Sequence, residues 1–360
     1  MGFKKTYLKK ENSPYFIAEI GINHNGHIDL AKRMIDASKE AGADAVKFQK
    51  RNFGTLLLPG VEIEEPTGYL SKDENDFPSE DKAFGTWTYP DKRLEFTDEQ
   101  VMELWKYTEL LGLDFIVSPW EETSVDFLVK NNAQVIKLAS IDTTNYQFCE
   151  YIASKGIPVL VSTGMTNYEQ MSKVWNIFQE AQCPMMFLHC TSAYPSPIED
   201  KHLRCIPVMQ TMFNDDIGFS GHAIGHEGTL GAVALGANVI EKHVSLSRKM
   251  SGPDQAASLE FDEFHDLIEM ASNMVKALGQ PRKKFLSSEK VLHGILTKKL
   301  IVTSEVHEGM EITKDMIGSV VTKQEGGILP DQIYNVIGTV ATRDMEPNHI
   351  LEIGDYKLER

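Results

Sequence analysis

Ile217-Gly218-Phe219-Ser220-Gly221-His222 and Val239-Ile240-Glu241-Lys242-His243 decide how this chain folds. Each is a short apolar run that ends in polar or ionisable residues, and a helix-like stretch, Gly228–Leu235, separates them. A run apolar on both faces marks a strand of a parallel sheet, and such a sheet needs a crossover, usually a helix, between neighbouring strands. The polar residues stand where each strand hands over to the loop before its helix.

The same unit recurs along the chain. Tyr15–Ile20, Ala45–Gln49, Asp114–Ser118, Val135–Ala139, Pro158–Ser162 and Met185–His189 read as strands before Ile217–Ser220 and Val239–Lys242. Leu30–Glu40, Asp98–Leu111, Thr123–Lys130 and Tyr168–Glu180 read as helices among them, with Phe261–Leu278 after the last strand. The strand ends carry Glu19, Lys47 with Gln49, Ser118, Lys137 with Ser140, Ser162-Thr163-Gly164 and His189-Cys190-Thr191. A doubly wound open sheet has the same alternation but spreads such ends along its edge, whereas a (β/α)8 TIM barrel gathers them at one mouth. The sequence therefore predicts an α/β chain: a (β/α)8 barrel over residues 1–280, a linker over 281–295 and a small, mostly β module over 296–360. The β-branched runs Lys299–Val302 and Val336–Ala341, with turns at Glu308-Gly309, Gly326-Gly327 and Glu346-Pro347, mark the module. Lys50 to Thr97 is too long for an ordinary βα connection and reads as a substrate-covering loop or a surface insertion.

Composition bounds the partners. A formal net charge of −16 repels nucleic acid and anionic membrane over most of the surface. Cys149, Cys183, Cys190 and Cys205 form neither a C-x-x-C pair nor a zinc-finger spacing, as expected of reduced thiols in the cytoplasm. No run approaches the roughly 20 apolar residues of a membrane span.

Several strand-end residues carry chemistry. His222 and His243 stand one βα unit apart, and two neutral imidazoles at a barrel mouth suit a borderline divalent metal; hydrogen-bonding histidines without metal are the alternative. His24, in Asn23-His24-Asn25-Gly26, is a third candidate ligand or a loop-orienting residue. Lys47 and Lys137 lie on strands, where a charge is costly unless it faces a polar mouth. There they would bind phosphate and carboxylate oxygens; a Schiff-base lysine is a different reading of the same position. Glu19 and Glu241 could orient a sugar hydroxyl or move a proton, or could be buried ion-pair partners of Lys47 or Lys242. The backbone after Ser162-Thr163-Gly164-Met165 could approach an anion or simply cap a helix.

Taken in order, these motifs resemble the sialic acid synthase family. The resemblance is carried by Ala18-Glu19-Ile20-Gly21, Asn23-His24-Asn25-Gly26, Lys47-Phe48-Gln49, Ser118-Pro119, Lys137-Leu138-Ala139-Ser140, Ser162-Thr163-Gly164-Met165, His189-Cys190-Thr191, Gly218-Phe219-Ser220-Gly221-His222, Glu241-Lys242-His243 and Gly252-Pro253-Asp254. The C-terminal module resembles the family's antifreeze-like (SAF) domain through Gly309, Ile312-Thr313, residues 322–328 and Ile337-Gly338.

The resemblance implies a synthase that joins phosphoenolpyruvate to open-chain N-acetylmannosamine or a related N-acetylhexosamine. It implies a divalent ion, Mn2+ or alternatively Mg2+ or Co2+, held by His222 and His243. Lys47, Ser118, Lys137, Ser140 and Ser220 would hold phosphoenolpyruvate, with Ser192 nearby, and Glu19 would serve the reacting carbons. Gln49, Asp142, Tyr194, Glu241 and Asp254 would surround the sugar and a metal-bound water. A swapped homodimer is also implied, each antifreeze-like module covering the partner's mouth. The chain departs from the family pattern at Ser192, where bacterial members often carry Asn, at Asp142, where Glu is usual, and at Lys323, where many members have an arginine. Arg51, Lys82, Lys92 and Arg93 flank the long loop and could meet a phosphorylated sugar. A Schiff-base lyase on the same barrel, or a non-catalytic carbohydrate- or ice-binding protein, would be the competing classes.

Overall fold

The computed structural model describes residues 3–8, 10, 13–66, 86–89, 94–250 and 252–358. It divides into two compact units, Met1–Gly279 and Gln280–Arg360. Lys82, Lys92 and Arg93 lie outside the described residues.

In the first unit eight parallel strands close on themselves: β1 (Tyr15–Gly21), β2 (Ala45–Lys50), β3 (Asp114–Pro119), β4 (Ile136–Leu138), β5 (Val159–Ser162), β6 (Met185–Cys190), β7 (Gly218–Gly221) and β8 (Val239–Ser245). Each pairs with the next, and β1 pairs with β8, so the sheet is a barrel and the open-sheet alternative is excluded. Helices wrap it, among them Ile28–Ala41, Asp98–Leu110, Glu122–Lys130, Tyr168–Glu180 and Phe261–Leu278. Two further helices, Tyr146–Ser154 and Cys205–Phe213, complete units whose helical periodicity is short. Thr97 with Gln100 and Asn167 with Gln170 form capping boxes, which satisfy N-terminal amides and fix where those helices begin.

Alternation along the strands sorts the residues into layers. Phe16, Ala18, Val46, Phe115, Val117, Phe187 and Phe219 face the helices and form the large outer core. Tyr15, Ile17, Ala45, Ile116, Val135, Leu160, Met186, Leu188 and Val239 fill the barrel's lower interior, and Phe3 and Leu8 join them. Each such buried side chain stabilises by roughly 1.5–3 kcal/mol. Two residues further along the same faces the interior changes character. Ile17 is followed by Glu19, Ala45 by Lys47, Val135 by Lys137 and Val239 by Glu241. A period of two thus delivers charges to the layer above the apolar plug.

Between β2 and β3 the long connection contains an antiparallel pair, Ile63–Pro66 with Thr86–Tyr89. The second unit has its own core of Leu300, Val302, Val306, Ile312, Ile328, Val336, Met345 and Leu351, and an antiparallel ladder between Lys298–Val302 and Ile317–Val321. The stretch expected as a bare linker, 281–295, contains most of a short helix, Lys290–Leu296. Its run Lys-Val-Leu-His-Gly-Ile-Leu is apolar at four of seven positions and helix-compatible despite Gly294.

Candidate active site

Strand register brings the site together. Glu19 lies opposite Lys47 on one side and His243 on the other, Gln49 opposite Ser118, and Ser220 opposite Glu241. Four ionisable side chains form its centre, Glu19, Lys47, Lys137 and Glu241, none more than 3 % exposed. Lys47 Nζ is 2.9 Å from Glu19 Oε2, 3.1 Å from Ser118 Oγ and 3.7 Å from Glu241 Oε1. Lys137 Nζ donates to Ser162 Oγ at 2.6 Å and lies 3.9 Å from Glu241 Oε2. Ser220 Oγ donates to Glu241 Oε1 at 3.1 Å, and Gln49 Nε2 lies 3.4 Å from Glu19 Oε1. The ion-pair reading of Glu19 and Glu241 therefore holds toward Lys47, while Lys242 pairs with neither.

The charges are poised rather than cancelled. Burial disfavours the Lys47 ammonium, but Glu19 and Glu241 more than compensate and raise its pKa. Burial dominates at Lys137, whose pKa is lowered despite Glu241. The two carboxyls also part company. Burial raises Glu19, whereas at Glu241 the opposing pull of Lys137 and Lys47 overcomes burial and lowers it. One carboxyl is thereby biased toward holding a proton and the other toward staying charged, the division of labour that acid–base chemistry needs.

Above this quartet stand His222 and His243, with ring centroids 5.2 Å apart and Tyr194 packed on both, at 4.2 and 5.7 Å. His222 Nδ1 is 3.0 Å from the Thr191 carbonyl, which can only accept, so that nitrogen carries a hydrogen. Burial disfavours the charged ring, but the Cys190 thiol, the Thr191 carbonyl and Glu241 outweigh it and raise the His222 pKa. His243 Nδ1 is buried without a hydrogen bond, 3.6 Å from Asp254 Oδ2. Burial first, then the surrounding cations, hold His243 well below its usual pKa and therefore neutral. Two imidazoles, one bonded to a carbonyl and the other beside a carboxylate, are a donor pair that a divalent ion can take once both are deprotonated. No group of three or more His, Cys, Asp or Glu side chains suited to a metal occurs among the described residues. His24 is elsewhere: its Nδ1 accepts from Gly26 N at 3.0 Å, and its ring stacks on Phe96 at 4.1 Å. Burial lowers its pKa to about 3, and it orients the first loop.

A third element is a hydroxyl-lined cradle. Ser140 Oγ accepts from Gly164 N at 3.1 Å, and a Cβ on Gly164 would stand 2.1 Å from Ser192 Oγ and 2.7 Å from Ser140 Oγ. Only glycine lets the two serines converge on that backbone. Asp142 is half-buried next to Asn145, its Oδ2 has no partner, and burial raises its pKa to about 6. Lys323 belongs to the second unit and is exposed there. Arg51 is held by Glu95, with Nε 2.9 Å from Oε1, and lies over the Trp120 ring.

Sequence reasoning passed over Cys190 and Ser162. Counting by twos from Met186 and Leu188 puts Cys190 inside the barrel, where its Sγ lies 3.6 Å from Ser140 Oγ and 3.8 Å from His222 Nδ1. Ser162, read as part of a segment that could approach an anion or cap a helix, is the hydroxyl that receives the Lys137 ammonium.

A (β/α)8 barrel with two buried lysines, two buried carboxyls and two imidazoles at its mouth is the framework of an enzyme. The chain belongs to the NeuB family, whose model matches residues 34–283. It is 38% identical over 325 residues to the human N-acetylneuraminate-9-phosphate synthase, covering 90% of this chain and 87% of that one. It is 30% identical over 330 residues to N,N'-diacetyllegionaminic acid synthase of Legionella pneumophila, covering 90% and 89%. Among solved structures, the N-acetylneuraminic acid synthetase of Leptospira borgpetersenii in complex with citrate matches with TM-score 0.65 and 29% identity, over 78% of this chain and 90% of that one.

Proposed function

We propose that this protein is a nonulosonic acid synthase that condenses phosphoenolpyruvate with N-acetylmannosamine or a related hexosamine and water, releasing phosphate. The observation that carries this reading is the quartet Glu19, Lys47, Lys137 and Glu241 beneath His222 and His243. Its two lysines match the carboxylate and phosphate of phosphoenolpyruvate, and the hydroxyls of Ser118, Ser162, Ser140 and Ser192 line the same region.

A divalent ion, Mn2+ in this proposal, would be held by His222 and His243 and would supply Lewis-acid polarisation of the sugar's aldehyde oxygen. The chain's own residues do the rest. Lys47 and Lys137 hold phosphoenolpyruvate so that its methylene carbon faces the aldehyde carbon. The new C–C bond forms there, the aldehyde oxygen takes the proton that Glu19 holds, and positive character develops on the phosphate-bearing carbon. Glu19, a carboxylate after that transfer, directs a water onto that carbon and takes its proton. The C–O bond to phosphate then breaks, the new hydroxyl gives its proton to the departing phosphate as the ketone forms, and the lysines stabilise the departing charge. Gln49, Asp142, Tyr194 and Asp254 stand around the mouth as contacts for the sugar.

The relationship to a 9-phosphate synthase favours one second reading, in which the hexosamine is phosphorylated. Offering phosphoenolpyruvate with a panel of hexosamines, phosphorylated and not, and measuring released phosphate decides between them. No phosphate release with any sugar would sink the synthase reading. The proposal extends to a swapped homodimer: sedimentation should give twice the chain mass, and deleting residues 280–360 should depress turnover. Cytoplasmic residence is proposed with it, supported by four free cysteines.

A further inference from the structure

Lys242 has no part in that chemistry. Strand alternation turns it away from the mouth, between Glu241 and His243, into the layer behind the barrel wall, where it is 1 % exposed. Its Nζ donates to the Ala223 carbonyl at 2.5 Å, and no ion pair to a carboxylate is formed among the described residues. A buried lysine with no carboxylate in ion-pair reach costs stability that a methionine filling the same space would not. Packing alone does not call for a lysine at this position.

The carbonyl it holds adjoins His222. A second buried lysine, Lys201, is linked to the preceding carbonyl, that of His222. Its Nζ donates to Ser196 Oγ, and Ser196 N donates to the His222 carbonyl at 3.0 Å. The Lys201 carbonyl is in turn bonded to His189 Nε2 at 2.7 Å. The two carbonyls at His222 and Ala223 are thus both tied down from outside the pocket, which restricts the backbone torsions that aim the imidazole.

We propose that Lys242 and Lys201 form a brace behind the barrel wall that sets the orientation of His222, making Lys242 a positioning residue for the site. The inference rests on reading His222 and His243 as metal ligands, and its test separates the two. The variant K242M is purified, its folding is checked by circular dichroism and thermal melting, and Mn2+ affinity is measured by calorimetry. In parallel the His222 tautomer is read by 15N NMR on the metal-free protein. K242M should melt no lower than wild type, bind Mn2+ roughly 10–100-fold more weakly, and lose the uniform Nδ1–H tautomer. A folded K242M with unchanged tautomer and affinity overturns the brace. Should K242M not fold, K201M decides by the same two readouts: a weakened Mn2+ affinity with a mixed tautomer supports the brace, and unchanged values overturn it. If wild type binds no Mn2+ yet K242M alters the tautomer, the ligand reading fails and the brace stands.

Discussion

The floor and the mouth of this barrel are built from the same strands and treat their polar groups in opposite ways. At the floor, Tyr15 Oη donates to Asp114 Oδ2 at 2.5 Å, and Asp44 Oδ2 accepts from Phe16 N at 2.8 Å and Lys10 Nζ at 2.5 Å. Asn238 Oδ1 is the exception there, buried without a partner. At the mouth, Glu241 Oε2, His243 Nδ1 and Asp142 Oδ2 all lack hydrogen bonds. Buried polar atoms are ordinarily paired because an orphan costs about 1–3 kcal/mol. A closed network serves the fold, and an open one is a set of valences kept for a ligand.

Substitutions at the two ends should separate in what they damage. The largest effect is expected from His222→Ala, which should cut turnover by about 10³-fold or more while leaving the melting temperature nearly unchanged. A chelator should reproduce the loss in wild type, and full metal-dependent turnover in both His222→Ala and His243→Ala would refute the ligand assignment. Lys137→Met should lower kcat/KM for phosphoenolpyruvate by about 10²-fold. Because burial already depresses that ammonium, the variant should be at least as stable to urea as wild type.

Asp142→Asn should act through pH. Burial raises the Asp142 carboxyl to about 6, so it is neutral below that pH and charged above. In wild type, kcat/KM for the hexosamine should fall as pH drops through about 6, and the variant should lack that limb. A folded-state value above the unfolded one means this group contributes stability at low pH that is lost as pH rises from the ordinary Asp range toward 6, a slope the variant should also flatten. The smallest effect on activity belongs to the floor. Tyr15→Phe should cost about 1–2 kcal/mol in denaturant unfolding with kcat and KM unchanged; lost activity in a stably folded variant would blur the distinction between the two ends.

Much of this was legible in the chain. Ile217–His222 and Val239–His243 announced buried strands with polar ends, because a strand covered on both faces has to be apolar until it leaves the sheet. Glu19, Lys47, Lys137 and Glu241 were conspicuous for the complementary reason that charges on such strands need partners. Less legible were the side chains whose roles depend on a neighbour far along the chain. His24 read equally as a ligand or as a loop-orienting residue, and the choice falls to its stacking on Phe96, a residue of the long connection whose position no local pattern gives. Gly164 looked like a turn glycine, and its importance comes from Ser140 and Ser192 meeting over it.

By itself the sequence determined the order of strands and helices, the apolar plug and the identity of the charged layer above it, since these follow from periodicity and from the cost of burying charge. Only the tertiary structure decided that β1 closes on β8, which carboxylate stands beside which lysine, that His24 is excluded from the site, and that Lys242 reaches the peptide behind His222. Those outcomes rest on register and on distances of a few ångströms between residues far apart in the chain, which no single stretch encodes.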